Sequence, residues 1–162
     1  MQIEIVNLTK FRIDKKYFQK IGEFILEKLK QSKDVEISLV FAGDARMRAL
    51  NKKYRRKDKT TDVLSFSYQN KINPPQPSFA KGGSPPPFFY KGKPEEIFGE
   101  IVISIPQAKK QARQRGYPLK RELSELFTHG ILHLAGYDDE KEKDCDVMIE
   151  KQEEILAHLS TK

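Results

Sequence analysis

Two of the three histidines in the 162-residue sequence, His129 and His133, stand four positions apart in the stretch HGILHLAGYDD. On a helix that spacing places both imidazoles on one face, one turn apart, where they can share a single ion. Gly136 can adopt the left-handed conformation that ends a helix and turns the chain, which presents the carboxylate of Asp139 as a third ligand. Written HxxxHxxGxxD, the pattern keeps the ligand and turn spacing of the HExxHxxGxxH zinc arrangement, with Asp in place of the last His. Three protein ligands leave a fourth position for water, as in a catalytic rather than a structural zinc site. A histidine pair alone favours ordinary helix packing; the glycine and the carboxylate reverse that and turn the reading toward one divalent metal ion, zinc before others. Gly130 occupies the position at which a zinc peptidase carries its general-base glutamate, so a standard peptidase is disfavoured. The metal itself must then lower the pKa of bound water, with Asp138 as a nearby carboxylate that could accept the proton or simply cap the helix end.

A second group precedes this motif. Residues 54–62 read YRRKDKTTD and bring Arg55, Arg56, Lys57 and Lys59 together just before an apolar run. An arginine meets a phosphate through two parallel hydrogen bonds and stays charged, so this connector can clamp a phosphodiester and stabilise the charge that builds as it is cleaved. The competing account is electrostatic and local: cations at the end of a helix are favourable without binding anything. Phe88, Phe89 and Tyr90 could stack on bases or merely pin a loop, and no role is assigned to them.

The rest of the composition sets limits. Thirty Lys plus Arg against twenty-three Asp plus Glu give a formal charge of +7, which favours a polyanionic partner or, more simply, makes a solvated basic surface. The one cysteine, Cys145, allows neither an internal disulfide nor a cysteine cluster, so a metal site must use nitrogen and oxygen ligands, and a reducing cytoplasm fits. The N-terminal stretch MQIEIVNLTKFRID interleaves charges with apolar residues, and no apolar run approaches membrane-spanning length.

The elements that must carry these groups follow from periodicity. Residues 2–6 alternate as a strand, and Asp14 caps a helix with Phe18, Ile21, Phe24, Ile25 and Leu29 at helical spacing. Residues 35–42 form a second strand, and Gly43 and Asp44 a turn and cap that start a helix to about Tyr54. Residues 63–68 make a third strand. A Pro-, Gly- and Ser-rich stretch, at about 69–97, reads as a long loop. Residues 99–105 resume as a strand, and Pro106 opens a helix that Gly116 ends. Pro118 starts the helix of the histidines, which stops at Gly136, and a last helix covers about 143–158. The expectation is one α/β (α+β) domain over 1–162, with four strands, about five helices and the histidines on a central helix.

In this order, YRRKDKTTDVLSF, GEIVIS and HGILHLAGYDD resemble the YbeY family of bacterial endoribonucleases, over most of residues 35–156. The family pattern HGxLHLxGYDH is reproduced except at its last position. The resemblance implies a small mixed sheet. It also implies a metal-dependent, single-strand-specific endoribonuclease of the cytoplasm, acting in small-subunit rRNA 3′-end maturation and ribosome quality control. By position, His129 and His133 match the family's first two metal ligands, Arg55 matches its functionally important arginine, and Asp139 stands where its third histidine would be. A carboxylate can still bind zinc, but its negative charge weakens the ion as a Lewis acid. RNA, through the small ribosomal subunit, is the implied partner; no membrane or DNA is expected. Two other readings stand beside this one: a non-catalytic ribosome-binding protein with a structural metal, and a metzincin-like peptidase that lacks the usual glutamate.

Overall fold

The computed structural model describes residues 2–31, 34–68, 97–137 and 142–160. Strands β1 (Gln2–Asn7), β2 (Glu36–Ala42), β3 (Val63–Ser67) and β4 (Ile97–Ser104) form one sheet in the order β1-β2-β4-β3. β1, β2 and β4 run parallel, with Leu39 between Ile5 and Ile101, and β3 is antiparallel to β4 with Ser65 opposite Ile101. The sheet is therefore mixed, as expected. Parallel strands are stable only with both faces covered, and all eight residues of β4 are buried.

One face carries Ile3, Ile5, Ile37, Leu39, Phe41, Ile101 and Ile103 and packs against helices α1 (Lys15–Lys28) and α4 (Leu119–Leu134). The other carries Val40, Ala42, Leu64, Phe66 and Val102 and is covered by Met47 and Leu50 of α2 (Asp44–Arg55). Helices α3 (Ile105–Arg115) and α5 (Glu142–Ser160) complete the set, and both lie against α4. Among the described residues no helix is long and apolar enough to cross a membrane.

The helix ends follow local chemistry. The Asp14 carboxylate accepts the Tyr17 N–H at 3.1 Å, and Ser104 Oγ accepts that of Gln107 at 3.2 Å, each satisfying an orphan donor of a first turn. Because Ser104 caps α3, the helix starts at Ile105, a residue the alternation had placed in the strand, while β4 begins two residues early at Ile97. Gly43 rather than Asp44 is the N-cap of α2. The Asp44 carboxylate turns sideways and accepts from Thr60 at 3.0 Å, Ser104 at 2.8 Å and Gln107 at 3.0 Å. Residues 69–96, which hold nearly all of the expected long loop, lie outside the described residues.

α4 comes unusually close to β4. A Cβ on Gly130 would sit 2.8 Å from Ile101 Cγ2, and one on Gly99 would collide with Leu134. The glycines allow α4 to lie directly on the strand, so eleven of its residues are buried and its remaining stripe is fixed in direction.

Candidate metal centre

α4 sets the pair of histidines. Its apolar residues Leu123, Phe127, Ile131 and Leu134 face the sheet, which leaves Arg121, Glu125 and His129 along the outer stripe and His133 at its buried margin, only 7% exposed. The Nε2 atoms of His129 and His133 are 2.9 Å apart, with the rings at 82°. Nitrogens that bind one zinc at about 2.0–2.1 Å lie at most ~4.2 Å apart, so this separation fits one shared ion.

The partner of His133 decides which nitrogen it offers. Its Nδ1 is 3.1 Å from the carbonyl oxygen of Tyr137. A carbonyl can only accept, so Nδ1 carries the proton and Nε2 presents its lone pair toward His129, the tautomer a metal requires. Gly136, at φ +93°, makes this contact possible by turning the chain back over the end of α4. Asp139 and Asp138 lie outside the described residues. Tyr137 is two residues before Asp139, a stretch that spans at most about 7 Å. Among the described residues no three His, Cys, Asp or Glu side chains form a metal-ligating group.

Gly130 has a structural role the sequence did not reveal. Its Cα faces Ile101 beneath the helix, so a glutamate there would enter the core instead of the site. The peptidase base is therefore sterically excluded from this backbone as well as missing from the sequence.

The basic connector is held from below. The buried Asn51 donates its Nδ2–H to the Lys59 carbonyl at 2.7 Å and accepts the Lys57 N–H at 3.3 Å on its own carbonyl. Arg56 adopts a left-handed conformation, φ 55°, that ends α2. Asp58 pairs with Arg48 at 2.8 Å and Lys52 at 3.0 Å. Hydrogen bonds from Arg48 and then Lys52 hold its carboxyl below the usual range. Asp58 thus draws its cations from α2, while Arg56, Lys57 and Lys59 are exposed and Arg55 half-buried.

α2 and α4 cover opposite faces, and the last turn of each lies over the end of β3. Tyr54, next to Arg55, stacks edge-on against Phe66 with centroids 5.7 Å apart. Leu134, next to His133, covers Gly99, which pairs with Ser67. Arg55 and the histidines accordingly flank the same end of the edge strand β3.

Three groups escaped sequence reasoning. Asn51 and Glu122 are polar residues on otherwise apolar helix faces, a signal present in the periodicity. Glu122 is wholly buried and accepts from Tyr117 at 2.7 Å; the same hydroxyl lies 2.9 Å from Glu125, and Arg115 reaches both carboxylates. Burial, with Glu122 and Glu125 outweighing the opposing pull of Arg115, pushes the Tyr117 phenol up to about 12. Gln152, whose Oε1 is 3.2 Å from His129 Nδ1, gave no signal, because only the pairing of α4 with α5 brings it near.

The sequence pattern of the family described as Endoribonuclease YbeY matches residues 3–160. The chain belongs to this family. Among its YbeY relatives, Endoribonuclease YbeY of Persephonella marina is 40% identical over 91% of this chain and 84% of its own. That of Geobacillus kaustophilus is 43% identical over 76% and 72%. The solution structure of TM1509 from Thermotoga maritima superposes with a TM-score of 0.56 at 27% identity, covering 95% of this chain and 86% of that one. The YbeY resemblance of the three motifs therefore extends to nearly the whole chain.

Proposed function

We propose that this protein is a metal-dependent endoribonuclease that cuts single-stranded RNA, with ribosomal RNA of the small subunit as substrate and the cytoplasm as its place of work. The observation that carries the reading is the convergence of the His129 and His133 Nε2 atoms at 2.9 Å in a chain of this family. Asp139 completes the ligand set and zinc is the ion, held with one position left for solvent. All 162 residues serve this one domain.

A divalent ion bound there supplies Lewis acidity and a water of lowered pKa. The chain supplies the rest. His133 keeps its proton on Nδ1 through the Tyr137 carbonyl, so its other nitrogen stays available. Arg55 is the catalytic arginine, which meets two phosphate oxygens and offsets the charge that grows on them. Arg56, Lys57 and Lys59 hold the neighbouring phosphates, on a connector whose backbone Asn51 has already fixed. The RNA runs past the end of β3, between the arginine on one face and the histidines on the other.

The test is cleavage of a single-stranded RNA carrying the small-subunit 3′ end by metal-loaded wild type and by Arg55→Ala. Wild type cuts, and Arg55→Ala retains its metal while losing most of its cleavage. Intact RNA after incubation with fully loaded wild type contradicts the proposal.

A further inference from the structure

An imidazole that lends Nε2 to a cation must keep its proton on Nδ1, and something must hold that proton in place. For His133 the Tyr137 carbonyl does so. For His129 the corresponding atom is Oε1 of Gln152, 3.2 Å from Nδ1 and contributed by α5, twenty-three residues along the chain. Gln152 is half-buried and lines a groove of about 850 Å³ between α5 and the first half of α4, beside Ser124 and Glu125. An amide oxygen only accepts, so with Oε1 on the ring this contact puts the proton on Nδ1 and turns Nε2 of His129 toward that of His133, 2.9 Å away, as a ligand rather than a donor.

We infer that Gln152 is a positioning residue for the metal centre, fixing the tautomer and ring rotation in which His129 offers Nε2. The inference rests on the proposed metal at His129 and His133. It also makes α5 part of the site, since Gln152 comes from that helix while the His133 acceptor comes from the turn after α4. The amide has a second orientation, in which its NH₂ donates to Nδ1, moves the ring proton to Nε2 and blocks the ion. A carboxylate at the same position lacks that alternative, because it has no proton to donate when ionised. Gln152→Leu is therefore expected to weaken the site, and Gln152→Glu to preserve or strengthen it.

The experiment measures zinc affinity of the full chain by competition with a chromogenic chelator, without RNA, alongside melting of each apo protein. Gln152→Leu is expected to weaken zinc by about 10–100-fold, with the apo melting point unchanged. Gln152→Ala, which removes the acceptor without adding an apolar contact, is expected to match it. Gln152→Glu is expected to bind as tightly as wild type or tighter. In zinc-loaded wild type and Gln152→Glu, the His129 Nδ1 proton gives a protected downfield resonance; in Gln152→Leu it exchanges away. Wild-type affinity in both Gln152→Leu and Gln152→Ala overturns the inference, as does equal weakening in Gln152→Glu, which marks a packing role. A wild type that takes up no zinc overturns the metal reading and this inference with it. Zinc uptake by wild type that Gln152→Leu and Gln152→Ala both match overturns only the role of Gln152.

Discussion

The histidine stripe of α4 and the basic connector after α2 both present charged or polar groups beside the edge strand β3, but by opposite means. α4 is pressed onto β4 until two glycines are needed for clearance, and each histidine Nδ1 has a hydrogen-bond acceptor. The connector is tied down at its backbone by Asn51 and at its far end by Thr60 on Asp44 and Asp62 on Gln111, while the side chains of Arg56, Lys57 and Lys59 are exposed. The contrast matches the demands of the two tasks. Ligands of an ion must be fixed to within about half an ångström before it arrives, so they belong on a packed element. Cations that follow a flexible polyanion gain from reach, and long side chains on a short connector provide it.

This contrast predicts unequal penalties. The largest belongs to the packed side: His133→Ala is expected to lower metal affinity by more than about 100-fold, beyond the cost of losing an outer hydrogen-bond partner, and to abolish cleavage with it. Equilibrium dialysis and an RNA cleavage assay on the same preparation check it. Arg55→Ala comes next, reducing cleavage by about 10²–10³, the effect of removing one charge-stabilising donor, while metal content stays at the wild-type level. Loss of metal from Arg55→Ala would erase the division of labour between the two regions.

Gly130→Ala probes the packing that aims the histidines. Its Cβ meets Ile101 at 2.8 Å, so urea denaturation is expected to give a stability about 1–3 kcal/mol lower, the usual cost of overpacking. Asp44→Asn tests the link between α2, α3 and the connector. Burial raises the Asp44 carboxyl, but hydrogen bonds from Gln107, Ser104 and Thr60 and the charge of Lys110 outweigh it and hold the group below its ordinary 3.8. A depressed folded-state value stabilises the protein at pH above the unfolded value and loses that contribution as pH falls through the folded one. At pH 7 the substitution is expected to cost about 1.5 kcal/mol, and the gap to wild type to close as the pH drops below 3.8. The smallest effects belong to Lys57→Gln and Lys59→Gln, which should leave metal and stability unchanged. Each is expected to reduce the slope of log affinity for single-stranded RNA against log salt by about 0.7.

Much of this was legible in the sequence because it is local. Helical spacing put His129 and His133 on one face, Gly136 marked the turn, and the strands read at 2–6 and 35–42 are found at Gln2–Asn7 and Glu36–Ala42. The order of the strands was not legible from periodicity, since pairing β4 between β2 and β3 is decided by contacts distant in the chain; the mixed sheet followed only from the family resemblance. Gly130 was read as a missing base, whereas its spatial meaning, clearance over Ile101, needed the packed helix. Gln152 and the Tyr117, Glu122 and Glu125 cluster depend on helix pairing in the same way. Asp44 was read as a cap from its residue type, and three donors from other elements redirected it.

The most direct measurement is a titration of zinc into the chelated protein, following cleavage of a single-stranded RNA while circular dichroism follows the fold. The account predicts that the apo protein is already folded and inert, and that cleavage rises to a plateau at one equivalent of metal in wild type but not in His129→Ala. Cleavage that is complete before zinc is added, or that reaches the same plateau in His129→Ala, would contradict it.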